Sequence, residues 1–221
     1  MCKIGQLRRE VLDNIHLMSN TRPTKSAFHI AGFHRHLELE HLHCEIAGNE
    51  RVLETLNAIY DQGSVVALGI TDITINRSQP WHTDLLRGKY AHFLDKAICW
   101  NMAVSPCLKA LVFLQDCESL EVVPGSHVLP VDLSSDLNVV PQDMTKAKCV
   151  SAKTGDVILM DIRLIHRGAT EDKMSSKGLD DNAKILISTV FGEASSPLAQ
   201  SMQVGNMRRL IDWEIRNATI L

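Results

Sequence analysis

His82 and Asp84, in the run Gln79-Pro80-Trp81-His82-Thr83-Asp84, combine an imidazole and a carboxylate two residues apart. In an extended strand, residues two apart share a face, so these two side chains project together. They make two thirds of the 2-His-1-carboxylate face that holds non-haem Fe(II) and leaves other coordination positions open. The third ligand has to come from elsewhere in the chain. His166, in Asp161-Ile162-Arg163-Leu164-Ile165-His166-Arg167-Gly168, is the candidate.

The elements that would position these groups can be read in order. The chain has 221 residues, 45% hydrophobic and 22% charged, which suits one globular domain with a sizeable core. A formal net charge of -3 gives no reason to expect a nucleic-acid or anionic-membrane partner. No apolar run approaches the roughly 18 residues that span a bilayer, and the first twenty residues lack the apolar core of a secretory signal. Cytoplasmic placement is therefore expected. Cys2, Cys44, Cys99, Cys107, Cys117 and Cys149 are scattered without a Cys-x-x-Cys pair, which argues for reduced thiols over zinc ribbons or disulfides.

Ile4 to Met18 has helical apolar spacing, broken at Arg22-Pro23. His29 to Glu45 carries five histidines and reads as a helix with polar imidazole faces, although histidines at helical spacing could share a metal. Glu50 to Tyr60 reads as a further helix, ended by Asp61-Gln62-Gly63. Beyond Gly63 the chain turns to Val, Ile and Thr. Strands are predicted at Val65–Ile75, around His82, and at Lys96–Val104, Lys109–Leu114, Leu120–Val123, Lys148–Ser151, Asp156–Asp161 and Lys184–Phe191. Met207 to Ile215 closes the chain with a helical pattern. The expected fold is mainly β with flanking helices, a double-stranded β-helix or jelly roll. A helical buttress would occupy 1–62, the jelly-roll core 64–191, and a helical tail 192–221. The loops Leu85–Phe93, Leu129–Lys146 and Thr170–Asn182 are candidates to line or cover a pocket.

Three segments stand in order: Trp81-His82-Thr83-Asp84; an apolar strand and acidic turn leading to Val123-Pro124-Gly125-Ser126-His127; and Gly155-Asp156 with an apolar strand running to His166. Together they resemble the signatures of the phytanoyl-CoA dioxygenase family of Fe(II)/2-oxoglutarate oxygenases, over about Arg77 to Phe191. The resemblance implies that His82, Asp84 and His166 ligate Fe(II), with 2-oxoglutarate and O2 as co-substrates. It implies hydroxylation of an unactivated C–H bond of a small-molecule substrate, with release of succinate and CO2. A basic residue at the start of the strand after the distal His would hold the distal carboxylate of 2-oxoglutarate. Lys184 takes that position, where the family usually has an arginine closer to the distal His. Arg167 is the rival, although it follows His166 directly and would point to the opposite face. Asp84 itself argues against halogenation, since related halogenases have a small residue there.

Other residues carry open alternatives. His127 either hydrogen-bonds beneath the metal site or fixes its turn. Trp81 either flanks the pocket or is core. Arg163 is expected to face away from the metal, paired with Asp161 or Asp156, and Asp156 to be a turn residue. His92 could approach substrate. Two other functions compete: a cupin-like metalloenzyme using the same triad without 2-oxoglutarate, and a non-catalytic jelly-roll binding protein.

Overall fold

The computed structural model describes residues 3–21, 24–61, 63–134 and 143–218; Cys2 and much of the 129–146 loop lie outside them. Six strands form one antiparallel sheet: β1 (Ser19–Asn20), β2 (Phe28–Ala31), β3 (Val65–Ile75), β4 (Leu108–Phe113), β7 (Val157–Asp161) and β9 (Ile185–Glu193). Their spatial order is β1-β2-β3-β9-β4-β7. A smaller sheet has the order β6-β5-β8, from β5 (Cys117–Val122), β6 (Lys148–Ala152) and β8 (His166–Arg167). An isolated antiparallel bridge, His82↔His166, adds the His-x-Asp segment beside β8. From Val65 onward the chain therefore alternates between sheets, crossing at each strand except between β5 and β6.

The large sheet divides its side chains by the period of two. Ile73, Ile75, Ala110, Val112, Ile185 and Ile187 face a core built with α1 (Lys3–Asp13), α2 (Glu40–Ala47) and α3 (Glu50–Ile59). The alternate residues Asp72, Thr74, Lys109, Leu111, Phe113, Leu186 and Ser188 line a cavity on the other face. All six residues of β4 are buried, because neighbouring strands flank it and both of its faces are covered.

The closing helix α6 spans Pro197–Ala218 and forms a wall of the same cavity through Met202, Asn206 and Arg209. Gly69, at φ +69°, sits in an irregularity of β3 between Ala67 and Thr71, and Asn206 donates to its carbonyl (2.9 Å). Gly205 lets the helix pack closely, since a Cβ there would stand 2.2 Å from Leu86.

Several expectations need correction. The stretch predicted as a strand at Lys96–Val104 begins instead as the short helix α4 (Lys96–Cys99), capped by the Asp95 carboxylate accepting from the Ala97 N–H (2.8 Å). His29 lies in strand β2, and only Glu40–Ala47 of the predicted 29–45 helix is α-helical. The N-terminal buttress thus supplies two strands as well as helices. The 170–182 loop contains α5 (Glu171–Ser175), and the closing helix begins ten residues before Met207. Cys44, Cys99, Cys107, Cys117 and Cys149 are all unpaired thiols.

Candidate metal centre and cavity

One ligand atom from each of His82, Asp84 and His166 lies within 4.8 Å of the others, the one such group among the described residues. The Nε2 of His82 is 3.8 Å from Asp84 Oδ1, and that of His166 is 3.4 Å from Asp84 Oδ2. Cis ligands about 2.1 Å from one metal ion stand about 3 Å apart, so a modest contraction would close the set. Each imidazole is oriented from behind. His82 Nδ1–H donates to the Pro80 carbonyl (2.7 Å) and His166 Nδ1–H to the Leu164 carbonyl (2.9 Å). These bonds leave both Nε2 atoms with free lone pairs. Asp84 Oδ2 is buried without a hydrogen-bond partner, as a metal ligand would be.

Electrostatics hold these three side chains in the forms a metal would need. Burial, reinforced by His166, pushes the His82 imidazole down to about 3, against the pull of Asp84. Burial likewise lowers His166 and keeps it neutral. Burial pushes Asp84 upward, but Lys109, His166 and His82 more than offset it, and the carboxyl falls below its usual range. Lys109 Nζ donates to Asp84 Oδ1 (2.9 Å), which leaves Oδ2 as the free oxygen.

Main-chain bonds place the triad. His82 and His166 exchange N–H···O bonds of 2.9 Å in both directions, and the Asp84 N–H donates to the Ile162 carbonyl (2.8 Å). The Val-Pro-Gly-Ser-His turn supports β8 from the other side. Gly125 takes φ +80°, and the buried Ser126 Oγ accepts from the Ile165 N–H (2.8 Å). Ser126→Ala would strand that N–H. It is expected to lower stability by about 1–3 kcal/mol, measured by urea unfolding, and an unchanged midpoint would remove this role.

The triad opens into a cavity of about 460 Å³. Five cations line it, Arg77, Arg87, Lys109, Lys184 and Arg209, against two carboxylates, Asp72 and Asp84. Lys184 is held by its main chain: Asn76 Oδ1 accepts from its N–H (2.8 Å), and its carbonyl accepts from the Asn76 N–H (2.9 Å). Arg8 of α1 secures the preceding turn through the Ala183 carbonyl (3.1 Å). Lys184 lines the cavity, and its ammonium donates to Ser119 Oγ (2.7 Å). Arg167 is placed differently. It does not line the cavity, its Nη2 donates to both carboxylate oxygens of Glu121 (2.9 and 2.8 Å), and its guanidinium lies 4.7 Å over the Trp81 ring.

Of the remaining sequence candidates, Arg163 pairs with Asp161 (2.7 Å) and is 1% exposed. Asp156 closes a turn by accepting from the Lys153 N–H (2.7 Å). Trp81 packs in a small core with Val123 and Ile165. His92 is exposed and, like His127, does not line the cavity. Within the histidine-rich segment, His34 and His43 bond to Thr71 and Thr189 hydroxyls (2.7 and 3.3 Å). Only His29 reaches the cavity, where its Nε2–H donates to Asp72 (3.1 Å). Sequence reasoning missed Lys109, Arg77 and Arg209. Lys109 had a signal: a lysine inside a wholly apolar strand is almost never buried unless paired.

No protein-family model matches the chain, and no curated protein matches its sequence. Three-dimensional comparison does find similar folds among solved structures. The non-heme alpha-ketoglutarate-dependent epimerase SnoN from nogalamycin biosynthesis superposes with a TM-score of 0.57 at 15% identity, covering 86% of this chain and 70% of that one. HygX from Streptomyces hygroscopicus, solved with nickel and 2-oxoglutarate, gives 0.57 at 16% identity, over 87% and 78%. EvdO2 from Micromonospora carbonacea var. aurantiaca, complexed with 2-oxoglutarate, gives 0.55 at 15% identity, over 87% and 82%. At these identities the likeness is one of fold, and it extends over most of each chain.

Proposed function

We propose that this chain is an Fe(II)- and 2-oxoglutarate-dependent oxygenase on a double-stranded β-helix, hydroxylating a C–H bond of a small molecule. One observation carries the reading. Two free imidazole nitrogens and an orphaned carboxylate oxygen converge in a cavity that Lys184 also lines. The alternation of strands between the two sheets supports the fold assignment, as does likeness to proteins solved with 2-oxoglutarate. The ordered motifs around His82, His127 and His166 support a phytanoyl-CoA dioxygenase type of site.

His82, Asp84 and His166 would hold the metal, and Lys184 would hold the distal carboxylate of 2-oxoglutarate. With O2, iron and 2-oxoglutarate supply the oxidising power: one oxygen atom enters the substrate C–H bond and the other enters succinate, as CO2 leaves. The chain's own part is to orient the ligands from behind, keep both imidazoles neutral, and hold Asp84 to one free oxygen through Lys109. Leu111, Phe113 and Leu186 line the cavity with apolar surface, which would limit water at the reacting centre.

Anaerobic titration with Fe(II) and 2-oxoglutarate, followed by visible absorption, tests this reading. Chelation at such a site is expected to produce a weak charge-transfer band. Metal binding without that band would favour the cupin-like reading, in which Lys184 has no co-substrate to hold.

A further inference from the structure

The cavity holds more positive charge than the proposed co-substrate requires. Lys109 is committed to Asp84, and Lys184, just before β9, is bonded to Ser119. Arg87 bonds to the Thr83 carbonyl. Arg77 and Arg209 remain. Arg77 makes no hydrogen bond or ion pair among the described residues, yet it lines the cavity within electrostatic range of Asp72, Arg209 and Asp84. Burial, its largest influence, and the nearby Arg209 both lower its pKa. Arg209 uses Nε on Asn206 Oδ1 (3.1 Å), while its buried Nη2 has no hydrogen-bond partner and stands 3.8 Å from Asp72 Oδ1. Asp72 already accepts from His29. Two guanidinium groups thus lie within electrostatic range of one carboxylate, and one buried guanidinium nitrogen, Arg209 Nη2, has no hydrogen-bond partner. Like charges held this way call for a further anion.

We infer that Arg77 and Arg209 clamp an anionic group of the primary substrate, a carboxylate or a phosphate ester, and so select small organic anions with an apolar body. This rests on the oxygenase reading for what happens to the substrate, but the clamp itself does not. Ile70, Leu86 and Met202 line the cavity near these residues and provide the apolar surface. Arg77 follows Asn76, whose main chain brackets Lys184. The charges acting on the Arg77 guanidinium are nevertheless Asp72, Arg209 and Asp84, whereas the Lys184 ammonium is bonded to Ser119, so the two cations serve different positions.

The test uses hexanoate, hexyl phosphate and hexanamide as probes, with binding measured by calorimetry. The protein is loaded with nickel and 2-oxoglutarate, and a parallel series uses metal-free protein. Hexanoate or hexyl phosphate is expected to bind at least tenfold more tightly than hexanamide, and whichever binds better identifies the substrate's anion. Arg77→Gln and Arg209→Gln are each expected to remove that preference while changing 2-oxoglutarate affinity less than twofold. Arg77→Gln leaves no partner stranded, so it serves if Arg209→Gln disturbs folding. Equal binding of hexanamide, or anion preference unaltered in both variants, would overturn the clamp. A matching loss of 2-oxoglutarate affinity would overturn it too, by assigning the arginines to the co-substrate. Anion preference that depends on Arg77 in metal-free protein, without any 2-oxoglutarate complex in loaded protein, would keep the clamp and overturn the oxygenase reading instead.

Discussion

Asp84→Ala is expected to abolish the visible band with Fe(II) and 2-oxoglutarate, together with all iron-dependent succinate formation. The carboxylate is the one anionic group of the proposed three, and its free oxygen has no protein partner to lose. The same substitution carries a stability cost that comes from Lys109, whose side chain is 10% exposed and whose ammonium would lose its counter-charge. Breaking such a buried pair from one side costs about 3–5 kcal/mol. Activity loss in Asp84→Ala alone could therefore reflect unfolding. The double variant Asp84→Ala/Lys109→Met separates the two effects, since replacing both charges with apolar groups is often neutral. It is expected to recover most of the thermal stability and none of the band. A band that returns in the double variant would remove Asp84 from the metal site.

The triad was legible because it rests on the simplest rule of strands: residues two apart share a face, and the distal histidine follows an apolar run. The same rule put Arg167 on the face away from His166, where Glu121 and Trp81 now occupy it. What escaped was tertiary. Lys109 sits in the wholly buried strand β4, beside the edge strand β7, and pattern reading absorbed it as that strand's polar boundary. Its role depends on Asp84, twenty-five positions earlier in the chain. The 96–104 stretch has apolar residues that suit a strand, but Asp95 captures the Ala97 N–H and starts a helix. Arg209 was invisible for another reason. The first half of α6 packs through Ala199, Met202 and Gly205, small or flexible residues that give no strong helical stripe. A helix whose start is missed leaves its cavity-facing arginine unassigned.

Lys184→Met should raise the 2-oxoglutarate concentration needed for half-maximal band formation by about 100-fold, whereas Arg167→Ala should change it by no more than about threefold. Losing one buried, charge-assisted contact to a carboxylate is worth about 3 kcal/mol, a factor of about 100. Methionine keeps most of the lysine's volume, so the cavity wall stays filled. Arg167 is spent on Glu121 at partial exposure, and its removal is expected to cost about 1 kcal/mol of stability or less, with the co-substrate untouched. The pH dependence separates the two residues further. Burial lowers the pKa of Lys184; Cys117 opposes this, while Lys173 and Lys177 add to it. The carboxylate binds the charged ammonium, so affinity should fall as pH rises through that lowered pKa, before the ordinary lysine range near 10.4. In Lys184→Met this alkaline fall should vanish along with the affinity. If Arg167→Ala instead produced the large shift, with Lys184→Met close to wild type, the anchor would lie on the outer face of β8. The proposed orientation of 2-oxoglutarate would then fail.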